Sequence, residues 1–296
     1  MSAERAGRAI PAGRAVRAAR SRRRARPGAV VQWVVIAAMF VLLAGPLVWQ
    51  LSLALKGMGD DLYARPPQLI PTDPTLSNFG DVLARVPVPR YVLNSLVVAF
   101  FVVLGNVIGA TAAGYALARL RFRGRGLATA IFLIAMLVPV ETVIVSQFLL
   151  VRSIALQDTL LGVALPTMVA ALNILLLRNA FANIPDELEE AAVLDGANAW
   201  QRFLRVCVPQ VKGVITVVAI FSFVGSWNDF LWPLLVLSSD DNYTLTVGLN
   251  RLRGTFYDDP RLIAAGTVVA LVPIVVFFSF LQRYFFRGLE SGGLKG

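Results

Sequence analysis

The sequence predicts an all-α polytopic membrane protein with six transmembrane helices. Three observations carry this reading. The 296-residue chain is 57% hydrophobic, with a mean hydropathy of +0.68. Charged residues make up only 16%, against about 25% in a soluble domain. Apolar runs at about 29–55, 92–118, 127–151, 160–180, 213–237 and 262–286 each reach the roughly 20 residues needed to cross a hydrocarbon core.

The elements follow in order. Residues 1–28 form a tail with nine arginines and one acid, Glu4. An arginine run invites a nucleic-acid reading, but no recognition module accompanies it, so no nucleic-acid partner is expected. The tail reads as a solvated segment that touches anionic lipid and fixes topology. The following apolar stretch is too long for the core of a cleavable signal peptide. Span 1 carries Trp33 and Trp49, suited to the two membrane interfaces, with Gly45-Pro46 predicting a kink between them. Six prolines between Pro66 and Pro89 predict an extended outside loop over 56–91. Span 2 carries Gly105 and Gly109 in a G-x-x-x-G pair, a face for close helix packing. A short arginine-rich connection leads to span 3. Span 4 is interrupted by Pro166 and Asn173. If the spans alternate, 20 of the 28 lysines and arginines fall on the side of both termini, which places that side in the cytoplasm.

The connection between spans 4 and 5, about 181–212, is the one substantial cytoplasmic segment after the tail. Asp186, Glu187, Glu189 and Glu190 lie within five residues, which hydrocarbon does not tolerate. Pro185 suits a first helical turn, and the acids suit the positive end of the helix dipole. A short helix over about Asp186 to Leu194 is predicted, broken at Asp195-Gly196 by a left-handed cap. A second helix, about Ala199 to Val208, stops before Pro209. Glu187, Glu190, Ala191 and Leu194 share one face, and Ala191 and Ala192 leave room for a partner surface. The alternative is a solvated loop helix with no special task.

Polar groups inside spans are functional candidates. Glu141, Gln147, Asn173, Asn228 and Asp229 qualify. Asn228 and Asp229 rank first, because they neighbour Trp227 and Trp232. Amides and carboxylates suit hydroxyl groups, and aromatic walls suit sugar faces. Hydrogen bonding between helices is the alternative for each. Histidine is absent, and Cys207 is the single cysteine, expected to pack as a small apolar residue. No metal site, cofactor site or catalytic constellation is therefore expected in this chain. A membrane enzyme and a proton-coupled carrier with paired acids or inverted repeats fit poorly.

The segment Ile184-Pro185-x-Glu187-Leu188-Glu189-Glu190-Ala191-Ala192-x-x-Asp195-Gly196-Ala197, with Phe203 and Val208-Pro209, resembles the EAA loop of ABC importer permeases. Its Asp-Gly-Ala form is that of the carbohydrate-uptake, maltose-permease-like branch. Ser226-Trp227-Asn228-Asp229-Phe230-x-Trp232-Pro233-Leu234, Asn94-Ser95, Ala113-Gly114-Tyr115-Ala116 with Arg119, and the C-terminal Gly288 to Gly296 are also similar to that family. Gly213 stands near the place where the family often has a second proline, so a softer entry into span 5 is expected.

The resemblance implies the type I importer permease fold, residues 29–290, with a short C-terminal tail 291–296. It implies a bacterial inner-membrane location and a sister permease as heterodimer partner. A cytoplasmic ABC ATPase dimer binds MgATP, and an extracytoplasmic binding protein delivers a sugar or oligosaccharide. Glu187, Glu190, Ala191, Ala192, Asp195 and Gly196 become the positions that couple to the ATPase. Trp227, Asn228, Asp229, Gln147 and Asn173 become candidates for the solute path. The chain lacks a G-x-x-x-x-G-K-S/T phosphate loop, so it is not itself the ATPase. The same architecture importing a glycerol phosphate or a polyol is the alternative.

Overall fold

The structure, a computed structural model, describes residues 27–253 and 259–293. The arginine-rich tail up to residue 26, residues 254–258 of the loop before the last span and the chain end from residue 294 lie outside the described residues. Among the described residues there are helices and no strand. The chain divides after Leu47 into two compact units, the second running from Val48 to the end.

Helix α1 (Pro27–Ala54) contains Pro46 within its length. The predicted extended loop instead folds a short helix, α2 (Ser77–Arg85). Helix α3 (Val88–Arg119) starts four residues earlier than predicted. Pro89 lies in its first turn, where a missing N–H costs nothing. A π turn at Asn106–Ala110 interrupts α3. Helix α13 (Pro260–Gly293) closes the chain and contains Pro273. These three long helices carry apolar stretches able to cross a membrane singly.

The remaining spans are bent, not straight as the hydropathy windows imply. Span 3 is α4 (Arg125–Leu137) and α5 (Val140–Ser153), meeting at 105°. Pro139 causes the break, because its ring pushes Val138 into extended backbone and it has no N–H to continue the ladder. Span 4 is α6 (Leu160–Thr167) and α7 (Ala171–Ala182), bent by 44° around Pro166 and Met168. After the loop helices α8 (Asp186–Leu194) and α9 (Ala199–Gln210), the chain turns by 77° into α10 (Lys212–Asn228). Counting each bent pair as one span gives up to six.

Span 5 is corrected at its C-terminal end. Helix α10 stops at Asn228, and a separate short helix, α11 (Leu231–Val236), follows. A continuous helix would need the N–H of Pro233 to reach the carbonyl of Asp229, and proline has none. The Thr246 hydroxyl donates to that carbonyl instead, at 2.7 Å. Thr246 sits in α12 (Leu245–Asn250), in the loop that follows span 5. Asn94 Nδ2 donates to the carbonyls of Asp241 and Tyr243, both at 2.9 Å, and Ser95 Oγ accepts from Leu245 N at 2.8 Å. The Asn94-Ser95 pair thus fastens the loop after span 5 to the start of α3. Asp158, in the loop before α6, binds the same loop from the other side through the amides of Ser238 and Ser239. Burial alone would raise its carboxyl, but these bonds and those of the Ser239 and Asn242 side chains outweigh it and hold it below the ordinary range.

The G-x-x-x-G face of α3 packs within the chain, against the bend of span 4. A Cβ on Gly105 would lie 2.6 Å from the Met168 carbonyl oxygen, and one on Gly114 would lie 2.8 Å from Leu177 Cβ. Only glycine admits backbones this close.

Candidate functional site

Two places combine polar chemistry with fixed geometry. The first is the loop between spans 4 and 5. Helix α8 has the predicted bounds, with Asp186, Glu187 and Glu189 in its first turn. Its end is a Schellman cap. Gly196 takes φ +79°, Gly196 N donates to Val193 O at 3.0 Å, and Ala197 N donates to Ala192 O at 2.9 Å. Glu187, Glu190, Ala191 and Leu194 are all exposed, Leu194 to 89%; Asp195 and Gly196 are exposed beside them and Ala192 is half-buried.

Helix α9 opens on a reciprocal cap, each of Asn198 and Gln201 accepting from the other's backbone N–H at 2.9 Å. It does not stop before Pro209 as expected but runs on to Gln210. A wider π turn at Arg202–Cys207, in which Val208 N–H reaches back to Phe203 O, lets the proline enter.

What holds α8 is Arg119, at the C-terminal end of α3, and sequence reasoning had not given it that task. Its side chain is 9% exposed. Nε donates to Phe181 O at 2.9 Å and lies 3.3 Å from Glu189 Oε1. The two terminal nitrogens reach Asp186 and the Ile184 carbonyl. One guanidinium therefore gathers the end of α7, the link to α8 and two acids of α8, a task that needs its fixed fork of donors. Below it, Tyr115, Phe181 and Phe203 form a ring cluster with centroids 4.8–6.3 Å apart. Cys207 is fully buried there. Burial, with Glu189 beside it, pushes its thiol up to about 12, so it packs as a neutral side chain.

The second place is a cavity of about 250 Å³ between α3, the bent span 4 and α10. Its polar lining is Asn106, Thr167, Asn173, Ser222, Ser226 and Asp229. Asn173 and Asp229, two of the sequence candidates, come together here. Asn106, Ser222 and Ser226 were missed. Asn106 is 1% exposed and makes four hydrogen bonds. Its Nδ2 donates to Val102 O at 3.0 Å and Thr167 O at 2.9 Å; its Oδ1 accepts from Ala170 N at 2.9 Å and Asn173 Nδ2 at 2.8 Å. It thereby satisfies backbone groups freed where span 4 breaks, as hydrocarbon surroundings require. Asn173 Nδ2 also donates to Ser222 Oγ at 3.2 Å. The signal for Asn106 in the sequence was an amide inside an otherwise apolar run.

The other candidates lie elsewhere. Trp227 is 2% exposed, stacks on Phe223 and donates to Ala270 O at 3.3 Å, so it is packed against α13 instead of forming a cavity wall. Trp232 is likewise buried and donates to Val163 O at 3.1 Å. Asn228 is exposed and donates to the Val224 carbonyl of its own helix at 2.9 Å. Gln147 is half-buried on α5, and Glu141 is exposed in the first turn of that helix. Among the described residues, no group of acids and cysteine is placed to hold a metal ion.

Comparison with known proteins agrees with this architecture. Residues 91–291 match the family described as "Binding-protein-dependent transport system inner membrane component". The chain is 36% identical over 203 residues to the arabinooligosaccharides transport system permease protein AraQ of Halalkalibacterium halodurans, covering 69% of this chain and 73% of that protein. It is 31% identical over 260 residues to the diacetylchitobiose uptake system permease protein DasC of Streptomyces coelicolor, covering 87% and 94%. In fold it matches a chain of a bacterial ABC transporter involved in import of the acidic polysaccharide alginate, with a TM-score of 0.77 over 89% of this chain and 98% of that one, at 24% identity. The bent spans, the capped loop helix and the family match over most of the chain lead to one conclusion: this protein belongs to the inner-membrane components of binding-protein-dependent transport systems.

Proposed function

We propose that this chain is one permease subunit of an ATP-driven importer for a sugar or oligosaccharide, paired with a sister permease. A cytoplasmic ATPase dimer holds and hydrolyses MgATP, and an extracytoplasmic binding protein delivers the solute. The observation that carries this reading is α8, a short helix with an exposed small-residue face, clamped at one end by Arg119 and capped at the other by Gly196. Such a rod, with Glu187, Glu190, Ala191, Ala192, Asp195 and Gly196 along it, suits docking in a cleft of the ATPase. Closure of the ATPase dimer then moves α8, and Arg119 passes the motion to α3 and α7. The cavity lined by Asn106, Asn173, Ser222 and Asp229 supplies this chain's share of the solute path. Its amides and hydroxyls match the hydroxyl-rich surface of a sugar.

The test starts from the binding protein. A thermal-shift screen against oligosaccharides, polyols and glycerol phosphates identifies the solute. The intact complex is then purified and reconstituted with that radiolabelled solute. Uptake is expected only with ATP and the binding protein together. Uptake that proceeds without ATP, or a permease that purifies with no ATPase, overturns the reading.

The same reading places both termini in the cytoplasm. In a Cys207→Ala background, Met58→Cys, 87% exposed in the outside loop, is expected to react with a membrane-impermeant maleimide in intact cells. Phe122→Cys, between spans 2 and 3, is expected to react only after permeabilisation. The reverse pattern inverts the topology.

A further inference from the structure

We infer that the cavity between α3, the bent span 4 and α10 admits neutral or cationic solutes, amino sugars among them, and rejects anionic ones. The inference deepens the proposed function and rests on its reading of this cavity as part of the solute path. Asp229 lies in the cavity wall, and no lysine or arginine does, among the described residues that line it. The rest of the polar lining is amide and hydroxyl. A carboxylate in a cleft with apolar walls focuses its field into the opening, because little water is present to screen it.

The geometry fixes the carboxylate there. Helix α10 ends at Asn228, and Asp229 takes extended backbone with φ −65° and ψ 129°. Its carbonyl is held by Thr246, and its Oδ1 accepts from Trp232 N at 3.4 Å. The side chain is thus anchored at the break by the Trp232 N–H of α11, not by a basic partner among the described residues. Ser226, one turn earlier on α10, has a buried hydroxyl with no hydrogen-bond partner. Asn173 lies across from α10 in the same lining, and its amide donates to Ser222, one turn before Ser226 on that helix. A sugar hydroxyl or an ammonium can pair with the Asp229 carboxylate, whereas the Asn106 amide is already fully paired within the protein. A carboxylate, sulfonate or phosphate meets Asp229 with no lysine or arginine among the described lining residues to offset the repulsion.

Charged thiol reagents test this without knowledge of the natural solute. The protein is the complete transporter in proteoliposomes, carrying Ser226→Cys and Cys207→Ala. Reaction rates are measured with a trimethylammonium and a sulfonate methanethiosulfonate of similar size, in nucleotide-free and vanadate-trapped states. After correction for intrinsic reactivity, the cation is expected to react at least about tenfold faster, the low end of what a cleft of one charge sign achieves. The ratio is expected to shrink with added salt and to fall toward one with Asp229→Asn. Equal rates for the two reagents in the Ser226→Cys protein overturn the charge filter and leave the solute path standing. A ratio unchanged by Asp229→Asn overturns the assignment to Asp229. Failure of both reagents to react in either state removes the cavity from the solute path, and the inference falls with it.

Discussion

Gly196→Pro is expected to abolish transport while the protein still accumulates in the membrane. Gly196 sits at φ +79°, and proline is locked near −65°. The substitution also deletes the N–H that donates to Val193 O and displaces Ala197, whose N–H donates to Ala192 O. A misplaced proline in a helix costs about 3 kcal/mol or more. That loss falls on a solvent-facing turn, so it disorders the end of α8 before it threatens the spans. Two further substitutions separate backbone conformation from bulk. A Cβ at this position meets nothing within 4 Å, so Gly196→Ala carries only the left-handed backbone penalty, roughly 1–2 kcal/mol. Gly196→Asn tolerates that conformation better. Uptake in proteoliposomes is expected to rank wild type, Asn, Ala, Pro. Wild-type uptake in the proline variant removes α8 from the coupling path.

Arg119→Ala has the next largest expected effect. It strands Glu189, whose side chain is 15% exposed, and removes one of the donors to the Phe181 carbonyl, which keeps the Ile184 N–H. Removing one partner of a buried ion pair costs about 3–5 kcal/mol. The contact with Asp186 adds little, since that carboxylate is 80% exposed. The detergent-solubilised complex is expected to unfold at a lower temperature, and ATP hydrolysed per solute carried is expected to rise. Arg119→Lys keeps the charge but loses the fork, so it restores part of the stability and less of the coupling. An alanine variant with wild-type unfolding temperature and stoichiometry shows that Arg119 holds nothing that matters.

The sequence made the loop legible and the membrane interior much less so. Helix α8 was readable to its end residues because its punctuation is local. Pro185 opens it, acids fill its first turn, and Gly196 supplies a conformation few other residues adopt. The spans were legible as apolar lengths, since hydropathy measures what the bilayer demands. Their breaks were not. A helix inside the membrane can end only where its freed backbone groups find partners, and those partners are distant in sequence. Asn106 serves Ala170, and Thr246 serves Asp229. No window along the chain reports such pairings. The tryptophans misled for a related reason. Trp227 and Asn228 are neighbours in sequence, but adjacent residues on a helix diverge by about 100°. Trp227 turns into the packing with α13, and Asn228 turns out.

The clamp made by Asn106 bears on how the protein is built in the cell. Until that amide arrives, the carbonyl of Thr167 and the N–H of Ala170 have no partner from α3. Bare backbone groups in hydrocarbon cost several kcal/mol each. Span 4 is therefore a poor candidate for release into lipid by itself. Its partner is synthesised more than sixty residues earlier and is already waiting when span 4 emerges. Biogenesis then favours insertion of spans 2 to 4 as one assembled group, with the break in span 4 sealed as it leaves the insertion machinery.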